Sequence, residues 1–332
     1  MKKLINKVEN VVEEMLIGVE YSNPNVIKVP NYNVIARKNN VIARKNKTKK
    51  VALVSGGGSG HEPSHAGFVG YGLLDAAVAG EVFTSPTPDQ VLAGIKAADN
   101  GLGVLLIIKN YTGDVLNFEM AAEMAEMEGI KVVKVIVDDD IAVKNSLYTV
   151  GKRGVAGTVL VHKIAGSCAE DKNSMEEVAS VANEVIQNVK TLGMSLGGCT
   201  IPASGKTSFE LKEDEVEMGL GIHGEPGTHK EKLLSAKEHV EYMLEKLLKE
   251  SQIKDEEVVV LVNGLGSTTL MELNIINKNV VEYLKAKNVK IHRTVVGNYM
   301  TSLEMPGFSI SILKLSARTK KYFDFEIKQN LF

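Results

Sequence analysis

Cysteine is scarce in this chain: Cys168 and Cys199 are the only two in 332 residues. Two thiols 31 residues apart cannot form a disulfide framework in a chain this long, and the spacing fits no metal motif. Both are expected to be free thiols in a reducing compartment. Long apolar runs are missing too. No stretch approaches the ~18 uninterrupted apolar residues of a membrane span. The N-terminus, MKKLINKVEN, turns acidic before any apolar run forms, which is not the pattern of a secretory leader. A cytoplasmic protein without a membrane span is expected. An excess of charge of one sign is also absent. With 39 Lys+Arg against 41 Asp+Glu, the net charge is -2, and nothing here resembles the basic footprint of a nucleic-acid binder. The short Lys-rich stretch Lys45–Lys50 reads as a solvated loop.

What remains is an ordinary globular composition, 44% apolar and 24% charged, long enough for two domains at roughly 150 residues each. Leu4, Val8, Val11, Val12, Met15 and Val19 recur at helical spacing and predict a first amphipathic helix. The heptad NVIARKN occurs twice, at 33–39 and 40–46. Two copies make no solenoid, and a tandem duplication in a surface loop or edge hairpin is expected. Apolar runs at 51–54, 104–108 and 132–137 predict strands covered on both faces, with a helix over 117–128. Ser174-Met-Glu-Glu reads as a capping box opening a helix with the stripe Val178, Val181, Val185 and Val189. Gly, Pro and Ser then punctuate 196–205, placing a domain boundary near 190. Beyond it the pattern predicts helices over 230–249 and 270–287, and strands over 258–262, 290–296 and 309–315. The fold class is α/β: two domains, 1–190 and 191–332, each a mixed or mostly parallel sheet flanked by helices. The second is expected to be smaller and closer to α+β, with its last ~15 residues packing back on the first.

Three segments carry chemistry. SGGGSGHEPSH at 55–65 follows a strand, and Gly56, Gly57, Gly58 and Gly60 remove every Cβ where backbone can approach a ligand. This is the expected ligand position in an open α/β sheet. The segment matches neither G-x-x-x-x-G-K-[ST] nor G-x-G-x-x-G. KNYTGD at 109–114 sets Lys109 and Asp114 at another strand's end. If that strand neighbours the first, the pair faces the glycines, and Asp114 becomes a candidate base for a substrate hydroxyl. GLGIHGEPG at 219–227 leaves the His223 ring unshielded by bulky neighbours, which suits a nucleophile. A helix cap, a surface lysine and a turn histidine are the bland alternatives. His65, His162, His229, His239 and His292 have no such context and read as structural or exposed. GKTS at 205–208 lacks the upstream glycine of a phosphate loop, and Asp138–Asp140 reads as a solvated strand-end turn rather than a Mg²⁺ site.

Taken in order, SGGGSGHEP (55–63), GEVFTSPTPDQ (80–90), LLIIKNYTGDVLNFE (105–119), VDDDIAV (137–143), GKRGVAGT (151–158), GIHGEPG (221–227) and YMTSLEMPGFSISILKL (299–315) resemble the dihydroxyacetone-binding K subunits of phosphotransferase-dependent dihydroxyacetone kinases. The resemblance implies that His223 attacks the C2 carbonyl of dihydroxyacetone to form a hemiaminal. It implies that Gly58, Ser59, Gly60, His61 and Lys109 bind the triose, that Asp114 acts as base, and that His61 assists. It implies no cofactor and no metal on this chain. ADP and Mg²⁺ are expected on an L-type partner subunit, which is recharged by the M subunit of the phosphotransferase system, and a homodimer is implied. The alternative is a non-catalytic paralogue that senses dihydroxyacetone and co-activates a transcriptional regulator. A third possibility, a nucleotide enzyme using the glycine segment itself, conflicts with the missing Lys and hydroxyl. The duplicated NVIARKN and the tail Ser316–Phe332, without the Pro- and Trp-containing ending expected, depart from the family pattern.

Overall fold

The computed structural model describes residues 2–42, 49–143 and 150–328. The first sheet holds β1 (Val26–Lys28), β2 (Val34–Arg37), β3 (Ala52–Ser59), β4 (Ala76–Val82), β5 (Val104–Lys109) and β6 (Val132–Val137). Their order is β1-β2-β4-β3-β5-β6. β4, β3, β5 and β6 are parallel, and β2 pairs antiparallel with β1 and β4. The second sheet holds β7 (Val189–Ser195), β8 (Glu215–Met218), β9 (His229–Lys232), β10 (Glu257–Gly264), β11 (Lys290–Gly297) and β12 (Gly307–Lys314). Its order is β11-β10-β12-β7-β8-β9, and of its named pairs β10 with β11 alone is parallel. The helices are α1 (Val11–Ser22), α2 (Lys38–Ile42), α3 (Pro88–Ala98), α4 (Thr112–Met127), α5 (Thr158–Glu170), α6 (Met175–Asn188), α7 (Ala236–Ser251), α8 (Leu270–Ala286) and α9 (Ala317–Phe323).

Strand periodicity sorts the apolar residues into layers. Val104, Leu106 and Ile108 of β5 join α3 and α4 on one face, while Leu105 and Ile107 join α5 and α6 on the other. In β10, Val259 and Leu261 enter that same α5–α6 core, and Val258, Val260 and Val262 pack with α7 and α8. The helix pair α5–α6 is therefore shared by both sheets, and residues 158–169 of α5 are all buried. Truncating a core side chain such as Leu105 to alanine would cost about 2–5 kcal/mol. α9 packs on α5 and α6, and beyond it Phe325 stacks on Tyr71.

Several sequence expectations are revised. The glycines at 56–58 do not follow a strand but belong to β3, in register with Val78, Ala79 and Gly80 of β4. The first helix begins at Val11 after a short 3-10 turn, and Leu4 is exposed. α4 begins at Thr112, so Asp114 lies in its first turn, where the helix dipole favours a negative charge. α7 begins at Ala236 rather than 230, because Ser235 and Glu238 form a reciprocal capping box and 229–232 is spent on β9. At Ser174 one half of the expected box is present, the side chain accepting from Glu177 N–H. Val189 opens β7 instead of closing the helical stripe. The first NVIARKN copy supplies the interior strand β2; Asn40, Val41 and Ile42 of the second continue α2, and its remainder lies outside the described residues. Lys50 is no solvated loop residue: it is 2% exposed and paired with Asp75, which also holds Arg37. Cys168 and Cys199 are both free and buried. Among the described residues no helix is long and apolar enough to cross a membrane, and no group of three or more His, Cys, Asp or Glu could hold a metal.

Candidate active site

The carboxyl ends of β3, β4 and β5 meet the loop 219–227 and the segment 299–303. Because β3 and β5 are parallel neighbours, the Lys109 side chain crosses under the glycines. Its Nζ donates to Gly56 O at 2.7 Å and lies 3.4 Å from Asp114 Oδ2. Gly57 makes this approach possible. At φ +147° it tolerates the backbone, and a Cβ there would sit 2.3 Å from Lys109 Nζ. Lys109 is fully buried, and burial lowers its pKa while Asp114 opposes the shift. Ser85 Oγ donates to Asp114 Oδ1, so both carboxylate oxygens are engaged.

His61 follows β3. Its Nδ1 lies 2.8 Å from Thr301 O. A carbonyl accepts only, so Nδ1 carries the proton and Nε2 keeps its lone pair. That Nε2 is buried without a partner. Burial, then the Lys109 charge, pushes the ring down to about 3. Ser59 Oγ donates to Gly80 O, and Gly60 N–H is taken by the Glu62 carboxylate. Thr301 and Leu303 reach Gly60 O, tying the segment 299–303 to the end of β3.

The His223 ring is half-buried among aromatic rings: Tyr111 at 4.4 Å, His61 at 4.9 Å and Phe83 at 5.7 Å between centroids, each edge to face. Burial first, then the nearby His61, Lys109 and Arg153, holds its pKa well below the ordinary value. It is an uncharged imidazole, the form that has a lone pair for attack. Its loop is anchored from below. Glu225 accepts from His223 N–H at 2.9 Å. Arg153 reaches Glu225 at 3.3 Å, Gly219 O at 2.7 Å and Asp140 through Nε at 2.7 Å. Asp139 and Asp140 are thus not a solvated turn. Both are buried, Asp139 accepting from Val155 and Gly157 N–H and Asp140 pairing Arg153. Burial raises Asp140 to about 6 against the pull of Arg153.

The structure therefore brings together His61, Lys109, Asp114 and His223 with Gly58, Ser59 and Gly60. Phe83, Ser85, Tyr111 and Arg153 belong to the same site and have no sequence-level mark beyond lying inside the segments 80–90, 105–119 and 151–158. His65, read as structural, touches Lys109 Nζ at 2.9 Å. Of the other histidines, His229 lies 2.9 Å from a Glu231 carboxylate oxygen and His292 2.7 Å from one of Asp324, and His239 accepts from Leu234 N–H.

Fold and site define an α/β protein in which an uncharged histidine faces a Lys–Asp pair at the ends of parallel strands. Residues 18–331 match the Dak1 domain, and the chain belongs to that family. It is 54% identical over 317 residues to the PTS-dependent dihydroxyacetone kinase 1, dihydroxyacetone-binding subunit DhaK, of Listeria innocua, covering 95% of this chain and 94% of the relative. It is 52% identical to the corresponding subunit of Lactococcus lactis, covering 95% and 93%. Among solved structures it is similar to the dihydroxyacetone kinase operon co-activator Dha-DhaQ, with 36% identity, 97% of each chain covered and a TM-score of 0.89.

Proposed function

We propose that this chain is the dihydroxyacetone-binding subunit of a phosphotransferase-dependent dihydroxyacetone kinase, with His223 as covalent anchor. The observation that carries the reading is the uncharged His223 ring set against His61, with Lys109 and Asp114 at the adjoining strand end. A His223 ring nitrogen adds to C2 of the ketone. The carbonyl π pair moves to oxygen, which takes up the proton that the ring gives up from its other nitrogen, so the hemiaminal is neutral. The terminal hydroxyl then gives its proton to Asp114 as its oxygen bonds to phosphorus, and the bond from phosphorus to the departing nucleoside diphosphate breaks. Lys109 supplies positive charge beside the reacting oxygens, and the His61 Nε2 lone pair is free to share a proton. A triose offers few atoms to grip, and a reversible covalent bond compensates for that small contact area.

The donor is an L-type subunit carrying ADP and Mg²⁺, recharged through the M subunit of the phosphotransferase system; this chain needs no cofactor of its own and works as a cytoplasmic homodimer. The kinase-subunit relatives above support this assignment. The co-activator neighbour favours a second reading, a dihydroxyacetone sensor that keeps the pocket without the transfer. One experiment separates them. The chain is mixed with an L-type subunit, phosphoenolpyruvate and the phosphotransferase proteins, and triose phosphate is measured. Formation that depends on every component supports the kinase reading. Binding of dihydroxyacetone without transfer supports the sensor, and product formed from MgATP by the chain alone would overturn both. A crystal soaked with dihydroxyacetone should show continuous density from a His223 ring nitrogen to C2, and His223→Ala should abolish it.

A further inference from the structure

Lys109 has three N–H groups, and each has a partner. Gly56 O lies at 2.7 Å, His65 Nε2 at 2.9 Å and Asp114 Oδ2 at 3.4 Å. An ammonium can only donate. His65 Nε2 therefore accepts, which puts the His65 proton on Nδ1. That nitrogen lies 3.0 Å from His162 Nε2, contributed by α5 from 97 positions along the chain. His162 Nε2 accepts in turn, and its proton also sits on Nδ1. There the string ends, because His162 Nδ1 is buried without a hydrogen-bond partner. A buried unpartnered donor asks for an explanation, and the polarity of the string supplies one. Each imidazole is oriented by the next, starting from the lysine.

We propose that His65 and His162 are positioning residues of this site: two buried imidazoles, both in the Nδ1–H form, that keep the Lys109 ammonium charged and aimed between Gly56 and Asp114. The inference rests on the reading of Lys109 as a substrate-binding cation. Burial and the Lys109 charge keep both rings unprotonated, with His61 adding to the effect on His65. Were Lys109 neutral, its lone pair would accept from His65 Nε2–H and both tautomers would reverse. Were His65 absent, the ammonium would lose one of three partners and could swing away from Asp114, in a reaction where a displacement of about 1 Å is worth about 10²-fold.

The test has two arms. Long-range proton–nitrogen spectra of the ¹⁵N-labelled full chain, assigned with His65→Gln and His162→Gln, report imidazole tautomers directly. Both residues should show the Nδ1–H form from pH 6 to 8, the less common form for free histidine. A Nε2–H signal from either would overturn the proposal. In the reconstituted transfer assay, His65→Leu should lower kcat about 10²-fold. His65→Gln, whose amide oxygen can stand where Nε2 stood, should recover most of that loss. An unchanged kcat in a folded His65→Leu protein would also overturn it. Absence of transfer by the unaltered chain with its partners would instead strike the kinase reading, and the tautomer arm would still decide this proposal.

Discussion

Asp114 and Lys109 form one buried pair with divided duties. Lys109 is held by Gly56 O and His65 as well as by Asp114, so its placement does not depend on the carboxylate alone. Asp114 in turn is oriented by Ser85. Replacing it with the isosteric amide removes the proton acceptor and keeps most of the packing. Asp114→Asn should therefore lower turnover by about 10²–10⁴ while the affinity for dihydroxyacetone, followed by calorimetry, changes little. Loss of affinity with turnover preserved at saturation would move Asp114 from proton transfer to ligand holding. Arg153 illustrates a different kind of residue. It touches no reacting group in this arrangement, yet it ties Asp140, Glu225 and Gly219 together and so fixes the loop that presents His223.

Strand β3 lets Lys109 and Asp114 come close by having no side chains of its own at three successive positions. Beyond the clash at Gly57, a Cβ at Gly56 would stand 2.3 Å from Val78 O, and one at Gly58 2.6 Å from Thr84 N. The glycines let β4 and its following loop close over the strand. Gly57→Ala should displace Lys109 and lower kcat/KM about 10²-fold, with a loss of stability of about 1–3 kcal/mol from the strained backbone. The matched control is Gly18→Ala in α1, where a Cβ meets nothing within 4 Å; it should be neutral or stabilising by up to about 1 kcal/mol. Equal effects of the two in urea unfolding and in transfer assays would refute the steric account. The duplicated heptad shows the limits of local preference. Val-Ile lies in β2 at 34–35 and in α2 at 41–42. The first copy has β1 and β4 to pair with, and that pairing, not the β-propensity both copies share, decides which becomes a strand.

Four histidines, the buried His61, His65 and His162 and the half-buried His223, are all shifted down, His61 and His162 to about 3 from an ordinary 6.5. Between those values the unfolded chain binds protons that the folded chain does not. Stability contributed by these groups is thus complete above pH 6.5 and is lost as pH falls toward 3. Glu62, Asp139 and Asp140 are raised by burial and act with the opposite sign in the carboxylate range, so the net curve is a compromise and a difference measurement isolates one group. His162→Gln should reduce the slope of unfolding free energy against pH by up to about 1.4 kcal/mol per unit between pH 5 and 6. An unchanged slope in denaturant titrations would mean that His162 is already protonated in the folded chain.

Local pattern alone was enough to place β5, β6 and β10 as strands, although β6 is covered on one face only and leaves Lys134 and Ile136 exposed, and to single out the three segments that the fold brings together, because glycine clusters and their flanking ionisable residues are contiguous. It was also enough for the family resemblance, which spans segments from 55 to 315. Long-range packing settled the rest. Whether a polar residue is buried depends on a partner that compensates its lost hydration. Those partners come from elsewhere in the chain: Asp75 for Lys50, Arg153 for Asp140, His162 for His65. No spacing rule joins them: Asp75 meets Lys50 because β3 and β4 pair as neighbours, His162 reaches His65 from the buried helix α5, and Arg153 meets Asp140 beneath the loop of His223.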